Sequence, residues 1–144
     1  MLVHQILKSK GTDGVVTVKP GTRVSQAAEV LSQRRIGTVV VSPDGKHVSG
    51  VLSERDIVRE IGKRGAACLA DLVDDMMTSK IETASMKEDA DGILHRMTEG
   101  RFRHMPVMEN GEMVGLITLG DVVKARLSQL AMEKEALEGM IMGH

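Results

Sequence analysis

The sequence predicts an α/β (α+β) fold in which one small unit is used twice. Three observations carry that reading. Gly50-Val51-Leu52-Ser53-Glu54-Arg55-Asp56-Ile57-Val58 returns 65 residues later as Gly115-Leu116-Ile117-Thr118-Leu119-Gly120-Asp121-Val122-Val123. Short apolar runs of strand length alternate with helix-period segments in the same order in both halves. Turn residues separate the last two apolar runs of each half at matching places. A repeat of this kind sets the architecture before any single element is assigned. Each unit then reads strand, helix, strand, strand, helix (β-α-β-β-α), with residues 1–72 forming the first and 73–144 the second.

The elements follow in order. Val3-His4-Gln5-Ile6-Leu7 reads as a short helical lead-in. Val15-Val16-Thr17-Val18 forms a strand, Pro20-Gly21 a turn, and Thr22 caps a helix that buries Ala27, Ala28 and Leu31. Thr38-Val39-Val40-Val41 and Val48 to Leu52 form a hairpin around Ser42-Pro43-Asp44-Gly45. A helix starts just after Ser53. Leu72-Val73-Asp74-Asp75-Met76-Met77 echoes the first lead-in, which puts the boundary near residue 72. At an offset of 66, Ile81-Glu82-Thr83-Ala84 supplies the strand, and Ile93, Leu94 and Met97 stand where the first helix has Ala27, Ala28 and Leu31. Met105-Pro106-Val107-Met108 and Met113 to Ile117 form the second hairpin around Glu109-Asn110-Gly111-Glu112, one residue shorter, and a last helix starts after Thr118. A half of about 70 residues supports only a marginal core, so the two halves pack together.

Composition narrows the function classes. A net charge of -1 and a pI near 6.5 offer no global attraction for nucleic acid or an anionic membrane. Phe102 is the only aromatic residue, so the stacking platforms of single-strand binders are missing, and most of the 11 methionines are assigned to gap-filling in the core. No apolar run reaches the roughly 20 residues that cross a bilayer, and the first residues lack the pattern of a secretory signal, so a cytoplasmic location is expected. Cys68 stands alone and reads as a small apolar residue. No GxSxG, Walker loop, HExxH or cysteine cluster occurs, and the five histidines are scattered without ligand spacing. Neither an enzyme nor a metal site is expected.

The doubled Gly-φ-φ-Ser/Thr-x-x-Asp set (φ, an apolar residue) resembles the CBS domains named after cystathionine β-synthase. Arg101-Phe102-Arg103-His104-Met105-Pro106-Val107 and Val73-Asp74-Asp75-Met76-Met77-Thr78 are similar to further motifs of that family. The resemblance implies a tandem pair related by a pseudo-twofold axis, a Bateman module, with two clefts that bind adenosine-containing ligands: AMP, ADP, ATP, NAD(H) or S-adenosylmethionine. It also implies a regulatory role, here as a stand-alone protein acting on an unidentified partner, and further assembly into a homodimer.

The residues suit such ligands. A carboxylate in the first turn of a helix, Asp56 or Asp121, can accept both hydroxyls of a ribose. Ser53 and Thr118 sit where a hydroxyl and free backbone N–H groups can meet a phosphate. The same spacing also makes an ordinary helix cap, and the two roles can coexist. Arg55, Arg103 and His104 are the candidate phosphate cations, distributed unequally, since Gly37 and Thr38 stand at the positions of Arg103 and His104 and Gly120 at that of Arg55. By family correspondence, the Thr118/Asp121 cleft holds its adenine with Lys19, Val24, Ile36, Gly37 and Thr38. The Ser53/Asp56 cleft correspondingly uses Ser85, Ala90, Phe102 and Arg103. Along the last helix, Val123, Leu127, Leu130, Lys134, Leu137 and Ile141 form a short heptad stripe that a partner helix could cover. The alternative to a ligand sensor is a scaffold dimer with vestigial sites.

Overall fold

The computed structural model describes residues 1–10 and 14–142. The order is α1 (Val3–Ser9), β1 (Thr17–Val18), α2 (Val24–Arg34), β2 (Thr38–Val41), β3 (Gly50–Ser53) and α3 (Glu54–Arg64). A 3-10 turn at Ala66–Ala70 follows, then α4 (Val73–Met76), α5 (Ala90–Gly100), β4 (His104–Glu109), β5 (Glu112–Thr118) and α6 (Leu119–Ile141). β1 runs parallel to β2, and β2 pairs antiparallel with β3. β4 and β5 form an antiparallel ribbon.

Several sequence expectations change, and the strand expected over Val15–Val18 is only Thr17–Val18. The strand at Ile81–Ala84 is reduced to one parallel bridge, Ala84 to Val107, with Ala84 N–H donating to Pro106 O at 2.9 Å and Met108 N–H to Ala84 O at 2.8 Å. Glu82 and Thr83 are exposed here, whereas the first unit places Thr17 and Val18 in register with Val40 and Val41. Thr22 does not cap α2. Arg23 holds that position, and its N–H is satisfied by Gln26 Oε1 at 3.1 Å, the same device by which Gln5 Oε1 takes the Leu2 N–H at 2.8 Å before α1. The third strand of the first unit begins at Gly50, not Val48. In the first hairpin Ser42 and Asp44 knot the loop: Ser42 Oγ accepts Gly45 N–H, and Asp44 Oδ1 accepts Lys46 and His47 N–H, each at 2.8 Å. The second hairpin instead closes on Asn110 and Gly111, both at positive φ, which suits a tight two-residue turn and lets both strands run up to it.

The lead-ins are exchanged between the halves. Val3 and Ile6 of α1 pack with Ile93, Met97, Met105 and Ile117, while Val73 and Met76 of α4 join Val24, Leu31, Val39 and Leu52. Core membership therefore crosses the boundary at residue 72. Equivalent backbone bonds hold both crossings: Val3 N–H to Glu88 O and Ala90 N–H to Met1 O, against Val24 N–H to Asp71 O and Val73 N–H to Thr22 O, all between 2.8 and 2.9 Å. The repeated glycine of the motif makes room for them. A Cβ on Gly50 would lie 2.5 Å from Met77 Sδ and 2.8 Å from Thr78 O, and one on Gly115 would lie 2.8 Å from Leu7 Cδ1. Both halves also end their first helix on a left-handed arginine, Arg35 at φ 54° and Arg101 at φ 55°, which turns Ile36 and Phe102 back against the cores.

Candidate functional site

The two hairpins bring four polar side chains into one row. Thr38 opens β2 and faces Ser53 at the end of β3; His104 opens β4 and faces Thr118 at the end of β5. Thr38 Oγ1 and His104 Nδ1, 66 residues apart, meet at 3.1 Å and join the halves. The order across the molecule is Ser53, Thr38, His104, Thr118. The strand ends are tied to the helix starts in equivalent ways, with Glu54 N–H donating to Gly37 O at 2.9 Å and Leu119 N–H to Arg103 O at 2.8 Å.

Each helix start is a full capping box. Ser53 Oγ accepts Asp56 N–H at 3.2 Å while Asp56 Oδ2 accepts Ser53 N–H at 2.9 Å; Thr118 and Asp121 repeat this at 3.1 and 2.9 Å. This arrangement satisfies two backbone donors reciprocally and aims carboxylates along the first turn, where the helix dipole favours negative charge. Two cations that sequence reasoning missed then pair with the carboxylates. Arg59 Nη2 lies 2.9 Å from Asp56 Oδ1, and Lys10 Nζ lies 2.8 Å from Asp121 Oδ2 and donates to Leu116 O at 2.9 Å. Arg59 was legible as an i,i+3 neighbour. Lys10 was not, because only the exchanged lead-in carries it there. The two starts consequently differ: both oxygens of Asp56 are engaged, whereas Asp121 Oδ1 accepts no hydrogen bond among the described residues.

His104 is half-buried. Burial holds its imidazole below the usual histidine range, helped by the charges of Arg103 and Lys10 and opposed by those of Asp121 and Asp56. With Thr118 opposite it in the ribbon and Thr38, itself opposite Ser53, at 3.1 Å, His104 sits between the two helix starts. No side-chain polar atom is left buried without a partner among the described residues.

The remaining candidates divide. Gly37 lies in the junction beside the Glu54 carboxylate, and Arg103 is exposed next to His104. Ile36 and Phe102 are half-buried at equivalent positions before the row. Lys19 and Ser85 are exposed in the turns before α2 and α5, and Ser85 N–H is taken by Glu88 Oε2 at 2.7 Å. Arg55 is exposed and lines a shallow hollow on α3 with Glu54, Val58 and Arg59. Val24 and Ala90 are 0% and 1% exposed, so their side chains belong to the cores and present no surface to a ligand. Among the described residues no acidic, histidine or cysteine group is clustered for metal, and no helix is long and apolar enough to cross a membrane.

A repeated α/β unit with two capped helix starts joined at a shared polar junction defines a tandem module of two equivalent units. The CBS domain model matches residues 7–63 and again 73–128, and the chain belongs to the CBS-domain family. The chain is 30% identical over 148 residues to the CBS domain-containing protein CBSX3, mitochondrial, of Arabidopsis thaliana, spanning 98% of this chain and 72% of that one. It resembles the crystal structure of the CBS-domain containing protein ATU1752 from Agrobacterium tumefaciens, with TM-score 0.83 and 42% identity over 88% of this chain and 99% of that one. It also resembles CBSX2, solved in complex with AMP, with TM-score 0.66 and 28% identity over 79% and 88% of the two chains.

Proposed function

We propose that this protein is a regulatory module that binds adenosine-containing ligands, AMP, ADP, ATP or NAD(H), and passes the resulting change to a partner protein, with no catalysis of its own. The observation that carries this is the row from Ser53 through Thr38 and His104 to Thr118, with a helix start and an acidic residue at each end. The AMP complex of CBSX2 supports the ligand class. In this reading Asp121 and Asp56 accept ribose hydroxyls, Thr118 and Ser53 with their helix starts receive phosphate, and His104, Arg103 and Arg55 supply positive charge. Ile36, Gly37, Thr38, Lys19, Phe102 and Ser85 hold the base. A ligand bridging the halves shifts their arrangement only by its differential affinity for two arrangements, and a row that joins the halves is where such a difference would act.

A second reading, a homodimeric scaffold with vestigial sites, is favoured by the Lys10 and Arg59 pairs that already occupy the two carboxylates. One experiment separates the two. With no Trp or Tyr, the chain is nearly transparent in the near ultraviolet, so a nucleotide retained through purification shows as an adenine band, identified by mass spectrometry after denaturation. If none is retained, calorimetric titration with AMP, ATP and NADH decides: saturable heat supports the sensor, and no heat with any of them supports the scaffold.

A further inference from the structure

The apolar stripe of α6 is uncovered. Only Val122 and Ala125 of this helix are buried, whereas Leu127 is 62% exposed, Leu137 60% and Ile141 84%. The helix runs 23 residues to Ile141, and the family match ends at residue 128, so most of the stripe lies on a projection beyond the paired units. We propose that this helix pairs antiparallel with the same helix of a second copy of the chain, across a twofold axis near Ala131. This deepens the homodimer reading by fixing which helices meet and in which direction.

The charges select the direction. In a parallel pair, Lys134 would face Lys134 within the seam and Glu133 would lie beside Glu138 on both flanks, placing like charges together three times. Antiparallel pairing sets Lys134 against Leu130, Leu127 against Leu137 and Val123 against Ile141. Lys124 of each copy then lies beside Glu138 of the other, and the small Ala131 meets itself at the axis. One like-charge contact, Glu133 with Glu133, remains on the far flank. Apart from Asp121, whose charge Lys10 takes up, the first turns of α6 carry Lys124 and Arg126, the latter 3.3 Å from Asp91, and the later ones Glu133, Glu135 and Glu138, broken only by Lys134, so with Lys124 the helix is self-complementary when reversed. Among the described residues Glu138 has only Lys134 at 3.9 Å, a loose contact that leaves it able to pair again.

The test uses the intact chain. Sedimentation equilibrium measures the mass, and a spin label on Ile141→Cys measures the arrangement; Cys68 is buried and stays unlabelled. Antiparallel pairing places the two labels 18 residues apart along the axis, about 27 Å, for a separation of about 30 Å, whereas a parallel pair brings them to about 10 Å. Lys124→Glu is expected to weaken the dimer about threefold or more, and adding Glu138→Lys to restore it. Leu127→Asp, at an exposed position, is expected to give a folded monomer. A monomer in the wild type at the highest soluble concentration overturns both the dimer and its arrangement. A dimer with the short label distance, or one that Leu127→Asp leaves intact, overturns the antiparallel helix pair alone.

Discussion

Replacing Asp121 tests the site and the fold together, because its carboxylate has two occupations. Asp121 Oδ2 accepts the Thr118 N–H at 2.9 Å and the Lys10 ammonium at 2.8 Å, with its side chain 20% exposed and that of Lys10 37%. Asp121→Ala removes the reciprocal half of a capping box, about 1 kcal/mol. The ion pair adds only about 0.3 kcal/mol, since Lys10 is solvated enough for its Coulomb gain to be screened. The sum, roughly 1.3 kcal/mol, lowers Tm by about 3–5 °C in a domain of this size. Asp121→Asn keeps an amide oxygen for the Thr118 N–H and is expected to lose only a few tenths of a kcal/mol. If the carboxylate receives ribose hydroxyls, both variants lose charged hydrogen bonds worth about 1.5–3 kcal/mol, so AMP binding at that cleft weakens about 10- to 150-fold. Thermal unfolding and calorimetric titration of wild type, Asp121→Ala, Asp121→Asn and, as a control on the other cleft, Asp56→Asn read both quantities. An Asp121→Asn protein that binds AMP as tightly as wild type refutes the ribose role. One with the Tm loss of Asp121→Ala refutes the capping argument.

Three further outcomes follow from the geometry. Gly50→Ala drives a Cβ into Met77 Sδ and the Thr78 carbonyl and is expected to cost about 1–3 kcal/mol by urea unfolding, more than Gly115→Ala, where the end of the Leu7 side chain can give way. Arg35→Gly and Arg101→Gly relieve left-handed backbone on a side-chain-bearing residue and are each expected to raise stability by about 0.5–1 kcal/mol in the same assay. His104 titrates lower folded than unfolded, so below the unfolded value the unfolded chain binds more protons. Its contribution is complete above about pH 6.5 and lost as pH falls through that value towards the lower folded one. His104→Gln should flatten that part of the stability profile, and AMP affinity should rise on acidification in wild type alone, because a phosphate favours the charged imidazole.

The repeat, the hairpins and both helix starts were legible from residue types and spacing because they are local: strand alternation, turn residues and a Ser/Thr-x-x-Asp cap act over a few neighbours. Local chemistry also misjudged some elements. Ile81–Ala84 reads as a strand as well as Val15–Val18 does, yet only Ala84 finds a partner, since pairing depends on what β4 can offer and not on the segment itself. The same limit governs the site. Asp56 and Asp121 could be singled out by sequence, but the lysine on one of them could not, because Lys10 reaches Asp121 only through a lead-in that crosses to the other half's core. Nor could sequence separate Val24 and Ala90, which burial removes from any ligand surface, from Thr38 and His104, which packing brings to 3.1 Å. By itself the sequence determined that one unit is used twice and that helices begin after Ser53 and Thr118, since short-range hydrogen bonding and periodicity suffice for both. Only the tertiary structure decided which half each lead-in completes and which polar groups share the junction, because those outcomes depend on close packing at Gly50 and Gly115 between segments far apart in the chain.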